Sequence, residues 1–323
     1  MEIYKLNFEN LIENYKSKIN TRLSKMYDSG PKSLKNTFDY VVNSNGKRIR
    51  PVLTLLTNKA CNGNVEDCLA AANSIELLHN FTLVHDDIMD DDRLRRGLET
   101  VHKKWDLGTG VLSGDLILSV ALDNLTNNYI DKPDVIQVFI KGLVAVCEGQ
   151  ALDKEFETVE TVDIKDYLNM IDLKTGYLLG MCADIGSRIA NVDIDLSLKL
   201  KKYGMLIGRG FQIQDDYLEL FSSSNNMGKS LKSDILLDKK TFLMILAKKE
   251  SPKLIKEALD TSKENFNLSI NKIRNIIVND GIKDYTERTI DRIFKEANSI
   301  LKEIKFDMSQ IKLFTDYISK RKK

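Results

Sequence analysis

Residues 75–92 read IELLHNFTLVHDDIMDDD, and the spacing inside this stretch decides the fold. Ile75, Leu78 and Leu83 recur at helical distances, so the segment is the apolar end of a helix that runs into acid. Asp86 and Asp90 are one turn apart, which points both carboxylates the same way. The helical period returns along the whole chain. Phe8, Leu11, Ile12, Tyr15, Ile19, Leu23 and Met26 form one apolar stripe that ends near Gly30 and Pro31. The same pattern is legible around residues 34–42, 50–60, 66–90, 112–129, 134–154, 164–190, 196–221, 241–249, 253–278 and 284–304, and no stretch sustains a period-two alternation. The pattern predicts an all-α fold, a bundle of about ten helices whose facing side chains build a central site. Turn chemistry separates the helices at Asn62-Gly63-Asn64, at Asp131-Lys132-Pro133 and at residues 222–226, SSSNN.

A second acidic cluster stands in FQIQDDYLE, residues 211–219, again with acid at i, i+1 and i+4 inside an apolar helix. Like charges stacked at i and i+4 destabilise an isolated helix, so two such clusters ask for a compensating cation. Carboxylates with room for water and phosphate as further ligands suit Mg²⁺. Taken alone, one cluster reads equally as a solvated helix face. Arginine changes the balance. Arg93, Arg95 and Arg96 follow the first cluster, and Lys47, Arg48 and Arg50 precede it. Guanidinium groups bind phosphate oxygens in bidentate fashion. Lys174-Thr175-Gly176 interrupts a helix farther on, and Lys229, Lys239 and Lys240 follow the second cluster. Acid for metal and base for phosphate therefore alternate along the chain.

The 323 residues carry 48 Lys plus Arg against 47 Asp plus Glu, a net charge of +1 that gives no electrostatic reason to expect nucleic acid as a partner. With 4 Pro, 17 Gly and no linker composition, residues 1–323 are expected to form one domain. Cys61, Cys68, Cys147 and Cys182 form no ligand pattern, so reduced thiols in a cytoplasmic protein are expected rather than disulfides or zinc. The start MEIYKLNFENL lacks the features of a secretory signal, and no stretch reads as apolar for long enough to span a bilayer. A soluble protein is the expectation.

The motifs, in order, resemble those of the trans-isoprenyl diphosphate synthase family: GKRIRP at 46–51, LVHDDIMD at 83–90, LRRG at 94–97, TVH at 100–102, SGD at 113–115, GQALD at 149–153, KTG at 174–176, FQIQDDYLE at 211–219, GKS at 228–230, SDI at 233–235 and KKT at 239–241. They cover residues 46–241. One position departs: the second aspartate-rich motif ends in Glu219 where the family usually has Asp, which keeps the charge and lengthens the arm by a methylene.

The resemblance implies a prenyltransferase that condenses isopentenyl diphosphate with an allylic diphosphate, dimethylallyl, geranyl or farnesyl. The allylic diphosphate is held between the two acidic helices by three Mg²⁺ ions, with Mn²⁺ as a substitute. Asp86 and Asp90 hold metal on one side and Asp215 on the other, with Asp87 counted in the catalytic set and Asp216 and Glu219 acting partly through water. Arg95, Lys174, Lys229 and Lys239 stabilise the leaving diphosphate. Thr175, Gln212 and a carbonyl freed near Gly176 supply dipoles for the allylic cation. Lys47, Arg50, His79 and Arg96 form the isopentenyl diphosphate pocket. His85 is adjacent to the motif and faces elsewhere, and His102 is structural. Phe81 and Thr82, five and four residues before Asp86, set product length. A single aromatic there resembles the archaeal geranylgeranyl diphosphate synthases, with the farnesyl product second. A homodimer is implied too. A class I terpene cyclase and a non-catalytic regulatory subunit share the fold, but the second diphosphate pocket speaks against the first and the two intact acidic motifs against the other.

Overall fold

A computed structural model describes residues 2–221 and 239–320. Lys229, the turn read at residues 222–226 and the GKS and SDI motifs lie outside the described residues. The helices in chain order are α1 (Glu2–Leu23), α2 (Lys32–Val42), α3 (Ile49–Ala60), α4 (Val65–Met89), α5 (Val101–Lys104), α6 (Leu107–Tyr129), α7 (Pro133–Thr158), α8 (Ile164–Ile171), α9 (Tyr177–Ile189), α10 (Ile194–Phe221), α11 (Phe242–Glu250), α12 (Pro252–Asp260), α13 (Phe266–Asn279), α14 (Ile282–Lys302) and α15 (Ser309–Ser319). Among the described residues the only strands are a two-residue pair, β1 (Leu94–Arg95) and β2 (Leu98–Glu99), so the fold is all-α. The chain divides into two units, Met1–Leu143 with Met181–Lys201 and Ile304–Leu313, and Val144–Gly180 with Lys202–Glu303 and Phe314–Lys323.

The first unit is built around α4. Asn64 caps it by accepting a bond from Glu66 N at 3.2 Å, and Glu66 and Asp67 complement the positive end of its dipole. Every residue from Cys68 to Leu78 is buried, as expected of a helix that is apolar all round. Several of its buried polar groups find partners. Asn73 donates to Ile19 O at 2.9 Å, Ser74 to Ala121 O at 2.8 Å, and Asn124 of α6 donates back to Ser74 Oγ at 2.8 Å. Beyond Leu78 the helix emerges, which leaves its acidic end at the surface of this unit. The strand pair that follows was not legible as structure. It is antiparallel, Leu94 opposite Glu99 and Arg95 opposite Leu98, and Arg96 and Gly97 turn it with φ of 54° and 81°. Two successive left-handed residues are what a two-residue hairpin loop demands.

In the second unit, glycines set how closely helices approach. A Cβ at Gly204 would lie 2.4 Å from Leu179 O, and one at Gly208 2.6 Å from Gly176 Cα, so α10 crosses the chain at 176–180 nearly backbone to backbone. The interruption read at Lys174-Thr175-Gly176 is a π-helical turn, Asp172–Gly176, between α8 and α9. The helix read over 253–278 is corrected. It breaks at a 3-10 turn, Thr261–Lys263, and Asn265 caps α13 by accepting from Leu268 N at 3.0 Å. Leu220, Leu243, Ile255, Ile273 and Ile277 form the core beneath these helices.

A further correction concerns α7. Over Pro133–Thr158 it is long and apolar enough to cross a membrane by length and composition, contrary to the sequence reading. Its Val135, Phe139, Ala145 and Val146 are buried, so these apolar side chains serve packing. All four cysteines are free, and burial pushes the thiols of Cys61 and Cys182 up to about 12.

Candidate active site

Asp86 and Asp90 lie on the last turn of α4, joined by the helix bond from Asp90 N to Asp86 O at 2.9 Å. Asp87 points away from that face. It is buried and accepts from Arg95 Nε at 2.7 Å, while Arg95 also donates to Asp92 at 3.1 Å. Burial pushes the Asp87 carboxyl up, and Arg95 draws it back. What Asp87 does in this structure is hold Arg95 of β1 against the end of α4.

Beside it is a cluster of cations. Arg50 Nη1 lies 3.0 Å from His79 Nε2. Burial, then the guanidiniums of Arg50, Arg96, Arg95 and Arg48, hold the imidazole well below its ordinary value. His79 is therefore neutral at pH 7 and orients Arg50 rather than adding charge. Arg96 is exposed overall, yet desolvation of its head lowers its affinity for the proton, and Arg48, Arg95 and Arg50 add to this against the pull of Glu76. A Cβ at Gly46 would lie 2.8 Å from Arg96 Nη1, so glycine makes room for that head next to Lys47. Cations crowded in this way are stabilised by an anion.

Farther back on α4, the rings of Phe81 and His85 meet edge to face with centroids 4.7 Å apart. His85 Nε2 lies 3.3 Å from Val111 O, and a Cβ at Gly114 would stand 2.2 Å from that nitrogen. The glycine of the SGD motif is the seat of His85. Thr82 turns its hydroxyl back to His79 O at 2.8 Å.

The second unit gathers the other set on α7, the π turn and α10. Gly149 admits the backbone of the π turn, since a Cβ there would fall 2.3 Å from Lys174 N, and Asp153 one turn on accepts from Lys174 Nζ at 2.5 Å. Thr175 donates to Gln212 Oε1 at 3.1 Å, and Gln212 Nε2 donates to Asp216 at 3.2 Å. The two dipolar residues expected from the sequence thus touch. Asp216 is buried, and its other oxygen accepts from Tyr167 at 2.6 Å and from Phe242 N at 3.0 Å. Desolvation pushes its carboxyl up to about 6 against Tyr167, Phe242, Gln212 and Lys239. With both oxygens taken by protein donors, Asp216 is an anchor, which corrects the water-mediated role read from sequence. Asp215 and Glu219, on the same helix, are only partly buried.

A family model for polyprenyl synthetase matches residues 31–277. The chain belongs to the polyprenyl synthetase family. It is 38% identical over 227 residues to a geranylgeranyl diphosphate synthase of Methanosarcina mazei, covering 69% of this chain and 70% of that one. A geranylfarnesyl diphosphate synthase of Natronomonas pharaonis is 35% identical over 237 residues, 68% of this chain and 70% of that protein. The crystal structure of a geranylgeranyl pyrophosphate synthetase from Pyrococcus horikoshii superposes with a TM-score of 0.89 at 30% identity, over 98% of this chain and 99% of the other.

Polyprenyl synthetases depend on a divalent metal, and the donor set fits one. In the first unit Asp86 and Asp90, and in the second Asp215, carry carboxylate oxygens of the hard type that such an ion takes. Sequence reasoning missed Asp153 and Gln150, both within the quoted GQALD motif. Both amide atoms of Gln150 are buried without a protein partner, which marks it as a group facing ligand or water. Tyr167 carried no signal, since its contact with Asp216 spans 49 residues.

Proposed function

We propose that the chain is a short-chain trans-prenyltransferase whose product is geranylgeranyl diphosphate. The observation that carries this reading is the pair of acid-and-base sets, Asp86, Asp90 and Arg95 on one unit and Asp215, Lys174 and Lys239 on the other, in a polyprenyl synthetase whose relatives make isoprenoid diphosphates. Each set combines carboxylates for a cation with a base for diphosphate. The bound cation, Mg²⁺ in this reading with three ions per site and Mn²⁺ as a substitute, neutralises the charge that develops on the leaving diphosphate.

Lys174 holds a diphosphate oxygen while Asp153 fixes its ammonium in place. Thr175 and Gln212 direct their dipoles at the allylic cation. Isopentenyl diphosphate is held by Lys47, Arg50 and Arg96, with neutral His79 orienting Arg50. The bond from the allylic carbon to diphosphate breaks first to leave the allylic cation, the isopentenyl double bond attacks that cation to form the new carbon–carbon bond, and the proton then lost passes to the departed diphosphate. No protein base is needed. The ring of Phe81, packed on His85, closes the far end of the allylic chain.

The protein acts as a homodimer in the cytoplasm. Leu107, Val111 and Leu112 are exposed along α6, an apolar strip that a second copy covers, and four cysteines that form no disulfide suit a reducing compartment.

The test is to incubate the purified protein with Mg²⁺, isopentenyl diphosphate and each allylic primer in turn, then size the dephosphorylated alcohols. Geranylgeraniol is expected, and EDTA abolishes its formation. Farnesol or geranylfarnesol as the main alcohol overturns the product assignment, and no metal-dependent diphosphate release from any primer overturns the enzyme.

A further inference from the structure

Arg48 stands between Lys47 and Arg50, the two residues of its segment assigned to the isopentenyl diphosphate pocket. Its side chain is 3% exposed and its guanidinium is fully engaged. It donates to Glu76 Oε1 at 2.6 Å, Asn20 Oδ1 at 2.9 Å, Val42 O at 2.7 Å and Ser44 O at 3.2 Å. These acceptors come from α1, the end of α2 with the residues after it, and α4. A single planar head therefore ties the loop at residues 43–48 to three elements of the first unit.

The backbone at Arg48 is unusual as well. Its φ of 51° is left-handed, a conformation that costs a non-glycine residue about 1–2 kcal/mol. Arg48 is the residue from which α3 starts, its carbonyl accepting from Val52 N at 3.1 Å. The reversal at Arg48 thus sets where Arg50 enters the helix. Only a side chain over-determined by its contacts holds such a residue there, and Arg48 has that set of contacts.

Glu76 and His79 are one turn apart on α4. Arg48 to Glu76 and Arg50 to His79 are then successive rungs between the GKRIRP segment and α4, at 2.6 Å and 3.0 Å. The first rung is a charge pair with both side chains nearly inaccessible, and the second faces the cation cluster. Removing one partner of a buried pair leaves an uncompensated charge, so neither member tolerates loss of the other. Glu76 also opposes the crowding of Arg48, Arg50, Arg95 and Arg96, as its pull on Arg96 shows.

We infer that Arg48 and Glu76 are positioning residues for isopentenyl diphosphate: a buried clamp that presents Lys47 and Arg50 to the homoallylic diphosphate without touching it. The inference rests on the assignment of Lys47 and Arg50 to that substrate.

The experiment is steady-state kinetics on Arg48→Gly and Glu76→Gln, each substrate varied at saturation of the other, with circular dichroism melting in parallel. Arg48→Gly removes the guanidinium while relieving the left-handed backbone, and Glu76→Gln keeps the shape of the carboxylate, so the two variants break the charge pair by different routes and the melting curves report whether each stays folded. Each variant is expected to raise KM for isopentenyl diphosphate about tenfold or more, with kcat and KM for farnesyl diphosphate within about twofold. Unchanged constants overturn the inference, and so does a parallel fall in kcat with both KM values, or loss of the folded state in both variants, because either assigns the pair to the core. Lys47→Ala and Arg50→Ala separate the two levels. If these leave KM for isopentenyl diphosphate unchanged, the pocket assignment fails; if they raise it and the clamp variants do not, the clamp alone fails.

Discussion

Asp216 is a carboxylate buried among donors, and its two roles pull against each other. Tyr167, Phe242 N and Gln212 all favour the charged form, yet desolvation outweighs them and raises the group to about 6. An acid raised on folding binds more protons folded than unfolded, so its contribution to stability is present below the unfolded value of 3.8 and is lost as the pH rises through about 6. The melting temperature of the wild type minus that of Asp216→Asn is expected to shrink as pH climbs over that interval; an offset independent of pH contradicts the buried-charge account. Asparagine also places an N–H against one of the three donors, which turns Gln212 away from Thr175. Phe81 poses a different question. Packed against His85, its ring is expected to limit chain growth, so Phe81→Ala should shift the alcohols toward geranylfarnesol and beyond. If the product distribution does not lengthen, Phe81 is core packing and some other residue is the floor.

The crossing of α10 over the π turn explains how Thr175 reaches Gln212. Gly208 lies so close that a Cβ would stand 2.9 Å from Thr175 O as well as 2.6 Å from Gly176 Cα. Two effects compete in Gly208→Ala. Helix propensity favours alanine by about 1 kcal/mol, whereas forcing backbones apart in a packed crossing costs about 1–3 kcal/mol. The second wins because backbone atoms cannot rotate away as a side chain can. Urea denaturation should report a loss of stability in that range, and kcat should fall with it as the contact between Thr175 and Gln212 lengthens. A stabilised variant would mean that the helices are not in contact there. The π turn belongs to the same device. Arg209 of α10 grips Asp172 with Nε 2.8 Å from Oδ1, which pins the irregular turn from one end while Gly149 admits it from the other.

For the protein as a whole, the apolar strip on α6 bears on assembly. Leu107 and Leu112 are both 59% exposed, a cost that association removes at about 25 cal/mol per Å² of apolar surface. Leu112→Glu is expected to move the sedimentation equilibrium from dimer toward monomer at micromolar concentration, with the helical content of circular dichroism retained. Dimer persisting unchanged would place the interface elsewhere.

Helical period, the order of the motifs and the reaction class were legible in the chain because each is local or charge-coded: one turn brings Asp86 beside Asp90, and guanidiniums beside carboxylates announce phosphate chemistry. The same locality explains the failures. Arg96 and Gly97 form a hairpin loop that no periodicity marks, and Asn265 breaks a helix whose stripe runs on. Asp216 looked like a partner of Asp215 because both are acids, but on a helix adjacent residues face about 100° apart, and only the packing of Tyr167 and Phe242 decides that one of them is buried. The clamp between Arg48 and Glu76 was hidden for a similar reason: charge in a sequence carries no burial, and burial separates a cation that binds substrate from one that holds the wall in place.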